Sequence, residues 1–271
     1  MDRKLTLMVI GAHPDDCEIQ TGGLAIKYTK TGHNVIYMSA TNGETGHHEM
    51  SREDVAQTRK KEFETSCAKA GIQCIVTDIP SNKIQPDIIT REKFISIIRK
   101  CKPDIIITHR LNDYHPDHRI TSQLVQDSSY AVKVPKVCED TEVLRYSPVI
   151  MYMCDNFKKP YEFKPNIVLD IDDEIELKMQ MIACHESQLY EWLPWVDGIL
   201  DSVPSDKDER YLWMKERRVK KDKAIADRFR DLLCKRYGIK KGMKIQYAEA
   251  YELCEYGRSV SNEELEKYIP L

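Results

Sequence analysis

Leu5-Thr6-Leu7-Met8-Val9-Ile10-Gly11-Ala12-His13-Pro14-Asp15-Asp16 is the stretch on which the reading of this chain turns. Leu5–Ala12 reads as a buried strand, because a short, nearly continuous apolar run bounded by turn residues suits a strand covered on both faces. It ends on a histidine, a proline and two carboxylates. In open α/β sheets active sites are built at the carboxyl ends of strands. A second cluster of the same kind, His115-Pro116-Asp117-His118, follows another apolar run, Ile105–Thr108. Either cluster alone reads equally well as a turn, where Asp accepts backbone hydrogens and Pro sets φ. Together they predict two side-chain groups converging at one end of one sheet.

Working outward, strand-like and helix-like segments alternate over residues 1–150. Asn34–Thr41, Ile72–Asp78 and Pro103–His109 read as further strands. Gly22–Lys30, Glu53–Ala70, Arg91–Cys101 and Thr121–Val132 read as helices, with Ser51 as a cap and Gly71 as a stop for the second. This alternation predicts an α/β fold: a Rossmann-like, mainly parallel sheet with helices on both faces. Beyond residue 147, Val149–Cys154, Asn166–Ile171 and Ala248–Tyr256 are strand candidates. Glu174–Tyr190 and Lys215–Tyr237 are helix candidates, and 191–215 reads as an irregular insertion. The expectation is one domain over 1–271, with 1–150 as the core and 151–271 as a C-terminal elaboration.

The 271 residues carry a formal net charge of -3, with 41% hydrophobic and 31% charged content. That balance gives no reason to expect a nucleic-acid partner. No apolar run is long enough for a membrane span, and the N-terminus reads as a first strand rather than a signal peptide. The nine cysteines are scattered without a Cys-x-x-Cys pair, which fits a reducing, cytoplasmic setting. Cys17 reads as a buried filler. Lys215–Lys223 reads as a solvated helix face and Trp192-Leu193-Pro194-Trp195 as a packing element. His47 and His48 read as exposed loop residues. A homo-oligomer is left open.

His13, Asp15, Asp16, His115 and His118 contain a complete set for metal-assisted hydrolysis. Two histidines and a carboxylate suffice for a catalytic zinc, and the remaining carboxylate and histidine can move protons. Asp117 reads either as a carboxylate orienting one histidine of its own cluster or as a helix cap. Gly22 and Gly23 lack the rest of a dinucleotide fingerprint and read as a place of close backbone approach.

Gly11-Ala12-His13-Pro14-Asp15-Asp16-x-Glu18 followed by His115-Pro116-Asp117-His118 resembles the PIG-L/LmbE-like family of zinc-dependent N-acetylglucosaminyl deacetylases. Thr41-Asn42-Gly43-Glu44-x-Gly46, Arg59-x-x-Glu62 and Lys178 with His185-x-Ser187-Gln188 are similar to further family motifs. The resemblance implies His13, Asp16 and His118 as metal ligands, Asp15 as general base, and His115 as oxyanion stabiliser or acid. It implies Arg59, Glu44 and His185 as substrate-pocket residues. Zn2+ is the implied cofactor, although such a ligand set also accepts iron, cobalt or nickel. The implied partner is a small-molecule amino sugar that loses its N-acetyl group. Where many members carry an Asp-Gly pair after the third strand, this chain has Pro80-Ser81-Asn82. Two other readings stay open: a metal-dependent hydrolase of another amide or ester, and a non-catalytic metal-binding module.

Overall fold

Leu7, Met8, Val9 and Ile10 are fully buried, which places their strand in the middle of the molecule. In the computed structural model, which describes residues 3–269, the elements run β1 (Thr6–Gly11), α1 (Asp16–Lys30), β2 (Asn34–Ser39), α2 (Arg52–Lys69) and β3 (Gln73–Val76). Then follow α3 (Ile88–Cys101), β4 (Ile105–Thr108), α4 (Pro116–Ala131), β5 (Val149–Met153), β6 (Ile167–Asp170) and α5 (Ile175–Ile182). The chain ends with α6 (Leu193–Val196), α7 (Lys207–Arg228), α8 (Arg230–Tyr237), α9 (Ile239–Gly242), β7 (Ala248–Leu253) and α10 (Asn262–Tyr268).

The strands form one seven-stranded sheet in the order β3-β2-β1-β4-β5-β7-β6. The first five are parallel, and β7 runs antiparallel to both β5 and β6. The fold is therefore the expected α/β architecture with a mainly parallel sheet. Alternate residues of β1 feed two cores: Leu7 and Val9 pack with Tyr37 and Phe63 on one face, while Met8 and Ile10 pack with Phe94 and Leu124 on the other. Helices cover both faces, which is why the central strands read as unbroken apolar runs.

Several boundaries differ from expectation. The first helix begins at Asp16, not Gly22, because the acids of its first turn, Asp16 and Glu18, suit the positive end of the helix dipole. Gly22 and Gly23 lie inside it. A Cβ on Gly22 would stand 2.7 Å from Lys178 Cγ, and one on Gly23 would stand 2.3 Å from Ile171 Cγ2. Close approach is indeed their reason. The helix expected from Thr121 starts at Pro116, since proline is favoured in a first turn. The helix expected over Glu174–Tyr190 stops at Ile182, and a π-helical turn forms over Ser187–Trp192. Nor is 191–215 irregular. It holds α6 and the first turns of α7, which Asp206 opens by accepting the N–H groups of Asp208 and Glu209.

Ser51 caps α2 through the N–H of Asp54, and Gly71 ends that helix region with φ +66°, as expected. All nine cysteines are free thiols. Among the described residues no helix is long and apolar enough to cross a membrane.

Candidate metal centre

β1 and β4 are parallel neighbours, with Ile10 beside Thr108. Strand order reverses between them, so the loops 12–15 and 109–115 leave the sheet together at the switch point. The His13 carbonyl accepts the N–H groups of Asp15 (2.9 Å) and Asp16 (3.3 Å). Asp16 Oδ2 accepts those of Ala12 (3.0 Å) and His13 (2.8 Å). The backbone of the first cluster is locked around its own carboxylate.

Three donor atoms meet there: His118 Nε2 is 3.3 Å from His13 Nδ1 and 3.6 Å from Asp16 Oδ2, and His13 Nδ1 is 3.5 Å from Asp16 Oδ2. Tetrahedral ligands about 2.0–2.1 Å from an ion stand about 3.3–3.4 Å apart, so this triangle fits a zinc-sized ion. The outer atoms of the ligands are held as well. Asp117 Oδ2 lies 3.1 Å from His13 Nε2. Asp113 Oδ1 lies 3.0 Å from His118 Nδ1, close but not aligned as a hydrogen bond. His109 Nε2 lies 3.3 Å from Asp16 Oδ2, and its ring stacks on that of His118 at 4.1 Å. Metal-binding histidines commonly lean on a carboxylate in this way.

Two other triads, His13-His115-Asp117 and His109-Asp113-His118, are also close enough to ligate. Only the triad of His13, Asp16 and His118 lies wholly on the lining of the pocket beside it, which Asp117, His109 and Asp113 do not reach. Asp117 Oδ2 accepts the N–H of Asn82 (2.8 Å), Asp113 Oδ1 accepts that of His115 (2.9 Å), and His109 Nε2 accepts that of Ala12 (3.1 Å). Electrostatics point the same way. Burial opposes the charged form of His13, yet the hydrogen bonds it donates to Asp117 and Asp16 raise its pKa to about 9. Burial likewise opposes ionised Asp16, but the charges of His118 and His109 hold its carboxyl well below the usual range. The cluster favours a positive charge at its centre.

His13, Asp15, Asp16, His115 and His118 all line one pocket of about 310 Å³, together with Gly43, Gly46, Asn82 and Gln188. His115 caps α4: its Nδ1 accepts the N–H of Asp117 (3.1 Å), so the proton of the neutral ring sits on Nε2. Burial and the nearby charges of His13 and His118 push its pKa down to about 4. Arg59 also lines the pocket, but its guanidinium is engaged. Nη2 bonds the Pro14 carbonyl and lies 3.1 Å from Asp15 Oδ2. Asn82 stands at φ +63°, a left-handed conformation that a glycine would also supply, in the segment where the Asp-Gly pair is missing.

Not every expected residue arrives. Glu44 lies outside the pocket lining, held by Asn42 Nδ2 (3.1 Å) and Arg52 Nη1 (3.2 Å). His185 does not reach the pocket either. It is fully buried, with Nε2 3.1 Å from Glu18 Oε1, because the chain turns away after Ile182. Asp117 neither caps α4 nor orients a histidine of its own cluster; it reaches across to His13. His47 pairs with Glu191 at 2.9 Å, and His48 stacks on Trp195 at 4.8 Å, so neither is an exposed loop residue. Cys17 is buried, and burial pushes its thiol well up, which fits the filler reading.

His109, Asp113 and Arg218 escaped the sequence reading. His109 and Asp113 carried one available signal, their place between the β4 run and His115. Arg218 had none, since mixed charge on a helix usually faces water. In the structure it lines the same pocket.

The family model described as PIG-L, GlcNAc-PI de-N-acetylase, matches residues 8–129. A diacetylchitobiose deacetylase of Thermococcus kodakarensis is 28% identical over 197 residues, covering 70% of this chain and 73% of that protein. The solved N,N'-diacetylchitobiose deacetylase of Pyrococcus horikoshii superimposes with a TM-score of 0.71 at 22% identity, over 93% of this chain and 84% of that one. A 4-carboxy-2-hydroxymuconate hydratase of Pseudomonas putida superimposes equally well, at 17% identity over 95% of this chain and 98% of that one. The fold is thus shared by proteins of different chemistry, and the site must decide.

Proposed function

We propose, from the premise that residues 8–129 belong to the PIG-L/LmbE-like family, that this chain is a metal-dependent N-deacetylase of N-acetylglucosamine-type small molecules, built as a single domain. The convergence of His13, Asp16 and His118 on one triangle, open to a pocket that Asp15 and His115 also line, is the observation that carries this reading. His13 Nδ1, His118 Nε2 and the Asp16 carboxylate would hold the ion, with zinc the best fit to two nitrogens and one carboxylate. When bound, a divalent ion supplies Lewis acidity, acidifying water and polarising a carbonyl oxygen.

The chain's own residues account for the rest. Asp15 takes the proton of the attacking water, and its pairing with Arg59 keeps the carboxylate aimed into the pocket. His115 acts as a neutral donor, since its Nδ1 is spent on the Asp117 N–H and its Nε2–H is left for the developing oxyanion. The proton on Asp15 then passes to the leaving nitrogen. Water and amide become acetate and a free amine. Arg59 serves the base, and its contact with substrate is secondary to that. The nine free thiols support a cytoplasmic setting.

Acetate release is the test, measured on metal-stripped protein titrated with Zn2+, Fe2+ or Co2+ against N-acetylglucosamine derivatives, simple amides and esters. Release confined to N-acetyl sugars and restored by one metal supports the proposal. Equal turnover of plain amides or esters favours the broader hydrolase. Tight metal binding with no release from any of them would point to the non-catalytic module.

A further inference from the structure

The inner face of α7 carries Met214, Arg218, Lys221, Asp222 and Ile225 at helical spacing. The run Lys215–Lys223 is therefore not simply a solvated face: Asp222 is buried and Arg218 and Lys221 are partly buried. Arg218 lines the 310 Å³ pocket that holds Asp15 and His115. It also lines an adjoining cavity of about 320 Å³, together with Arg217, Lys220, Trp213 and Asp197. Three cations against one carboxylate give that second chamber a positive wall.

The guanidinium groups of the buried arginines Arg99, Arg110 and Arg59 are engaged by the fold. Arg99 donates to the carbonyls of Val132 (3.1 Å) and Val134 (2.8 Å), and Arg110 forms a two-point pair with Asp155 at 2.7 and 2.8 Å. Arg59 is spent on Asp15 and Pro14. Arg218 has neither hydrogen bond nor ion pair among the described residues. Asp15 and Asp197 act on it only through space. The donors of Arg218 are thus free beside two pockets, and its planar fork matches a carboxylate or a phosphate.

We propose that the substrate carries an anionic group, a carboxylate or a phosphate, beyond its N-acetylated ring, and that Arg218 anchors it at the junction of the two chambers. The inference rests on the deacetylase reading for the placement of the ring. The acetamide goes to the metal centre, the sugar fills the first pocket, and the anion meets Arg218, with Arg217 and Lys220 behind it.

The experiment compares methyl N-acetylglucosaminide, N-acetylglucosamine 1-phosphate and a carboxymethyl N-acetylglucosaminide. Acetate release and calorimetric binding are both measured on the metal-loaded full chain, as wild type, Arg218→Ala and Arg218→Lys. We expect wild type to prefer one anionic probe over the neutral one by about tenfold or more in kcat/KM, as one charge-assisted contact supplies. Arg218→Ala brings that ratio to about one, mainly through KM, and Arg218→Lys keeps part of it. The preferred anion tells carboxylate from phosphate. Equal turnover of all three by wild type, or a preference that survives Arg218→Ala, overturns the anchor and leaves the deacetylase reading standing. Anion binding that depends on Arg218 without acetate release from any probe does the reverse. Neither binding nor release overturns both.

Discussion

The cluster around Lys178 and the cluster around His13 follow opposite rules. In the first, Lys178, Asp222 and Glu249 lie against the middle of α1. Lys178 Nζ donates to Asp222 Oδ1 and Glu249 Oε1, each at 2.8 Å. Glu249 also accepts the N–H groups of Gly23 (2.8 Å) and Leu24 (2.9 Å) and the Tyr251 hydroxyl (2.6 Å). Its partners lie within the fold. In the second, at the ends of β1 and β4, His13 Nε2 leans on Asp117 and His118 Nδ1 faces Asp113, while His13 Nδ1, His118 Nε2 and Asp16 Oδ2 face one another beside a pocket. Buried charge with every partner in place is architecture. Buried charge that leaves one face of its donors unspent is a seat for something else.

The sharpest way to break this contrast is to remove one member from each cluster. His118→Ala is expected to abolish stoichiometric metal binding and lower kcat/KM by about a thousandfold or more, the loss of several kcal/mol of charge stabilisation. Lys178→Met should leave kcat per folded molecule intact but destabilise the fold by about 3–5 kcal/mol, because two buried carboxylates lose their cation. Metal analysis and kinetics read the first, a denaturant titration the second. A Lys178→Met variant with native stability and lost turnover would erase the distinction.

Asp15→Asn separates base from ligand within the open cluster. Activity should fall by about 10²–10⁴-fold with metal content unchanged. Loss of metal in this variant would place Asp15 among the ligands instead. Asp117→Asn probes the outer shell, where about 10–100-fold weaker metal affinity is expected. Competition with a chelator measures it. Full affinity in that variant would mean that the 3.1 Å contact to His13 orients nothing.

The open cluster was legible because its chemistry is local. His13, Asp15 and Asp16 share one turn, and the apolar run before them announces a central strand. The pairing of β1 with β4 then follows from a parallel sheet whose order reverses at its centre. The partners across the fold were less legible. Asp117 could be read as an orienting carboxylate, but not that it serves His13 rather than its neighbours. His185 and Lys178 share a sequence neighbourhood with Gln188, yet only Gln188 lines the pocket, since the chain breaks after Ile182 and turns His185 onto Glu18. Arg218 and Asp222 sit in a run whose signs alternate. Which side of that helix meets the core depends on where α7 lands, and α7 begins eight residues before the charged run makes a helix evident.

Lys221 joins the two clusters and offers the finest test of how separate they are. It follows Arg218 by three residues on α7, donates to Gln20 Oε1 at 2.7 Å, and lines a cavity with Asp16 and His118. Burial and the neighbouring charge of Lys178 push its pKa down from 10.5 to about 8. Between about pH 8 and 10.5 the unfolded chain therefore keeps a proton on this lysine that the folded chain has released. Wherever the unfolded state binds more protons, stability rises with pH. Wild type should thus gain thermal stability relative to Lys221→Met as pH climbs through that window. The penalty of the buried ammonium should be fully present below pH 8. Lys178 cancels in the difference, since its own pKa is raised and it stays charged in both proteins across the window. Melting temperatures of the two proteins, taken stepwise from pH 7 to 10.5, decide the matter. A rising difference means that the field of the sealed cluster extends to the wall of the open one. A flat difference means that Lys221 is hydrated like a surface lysine and that the two clusters are electrostatically independent.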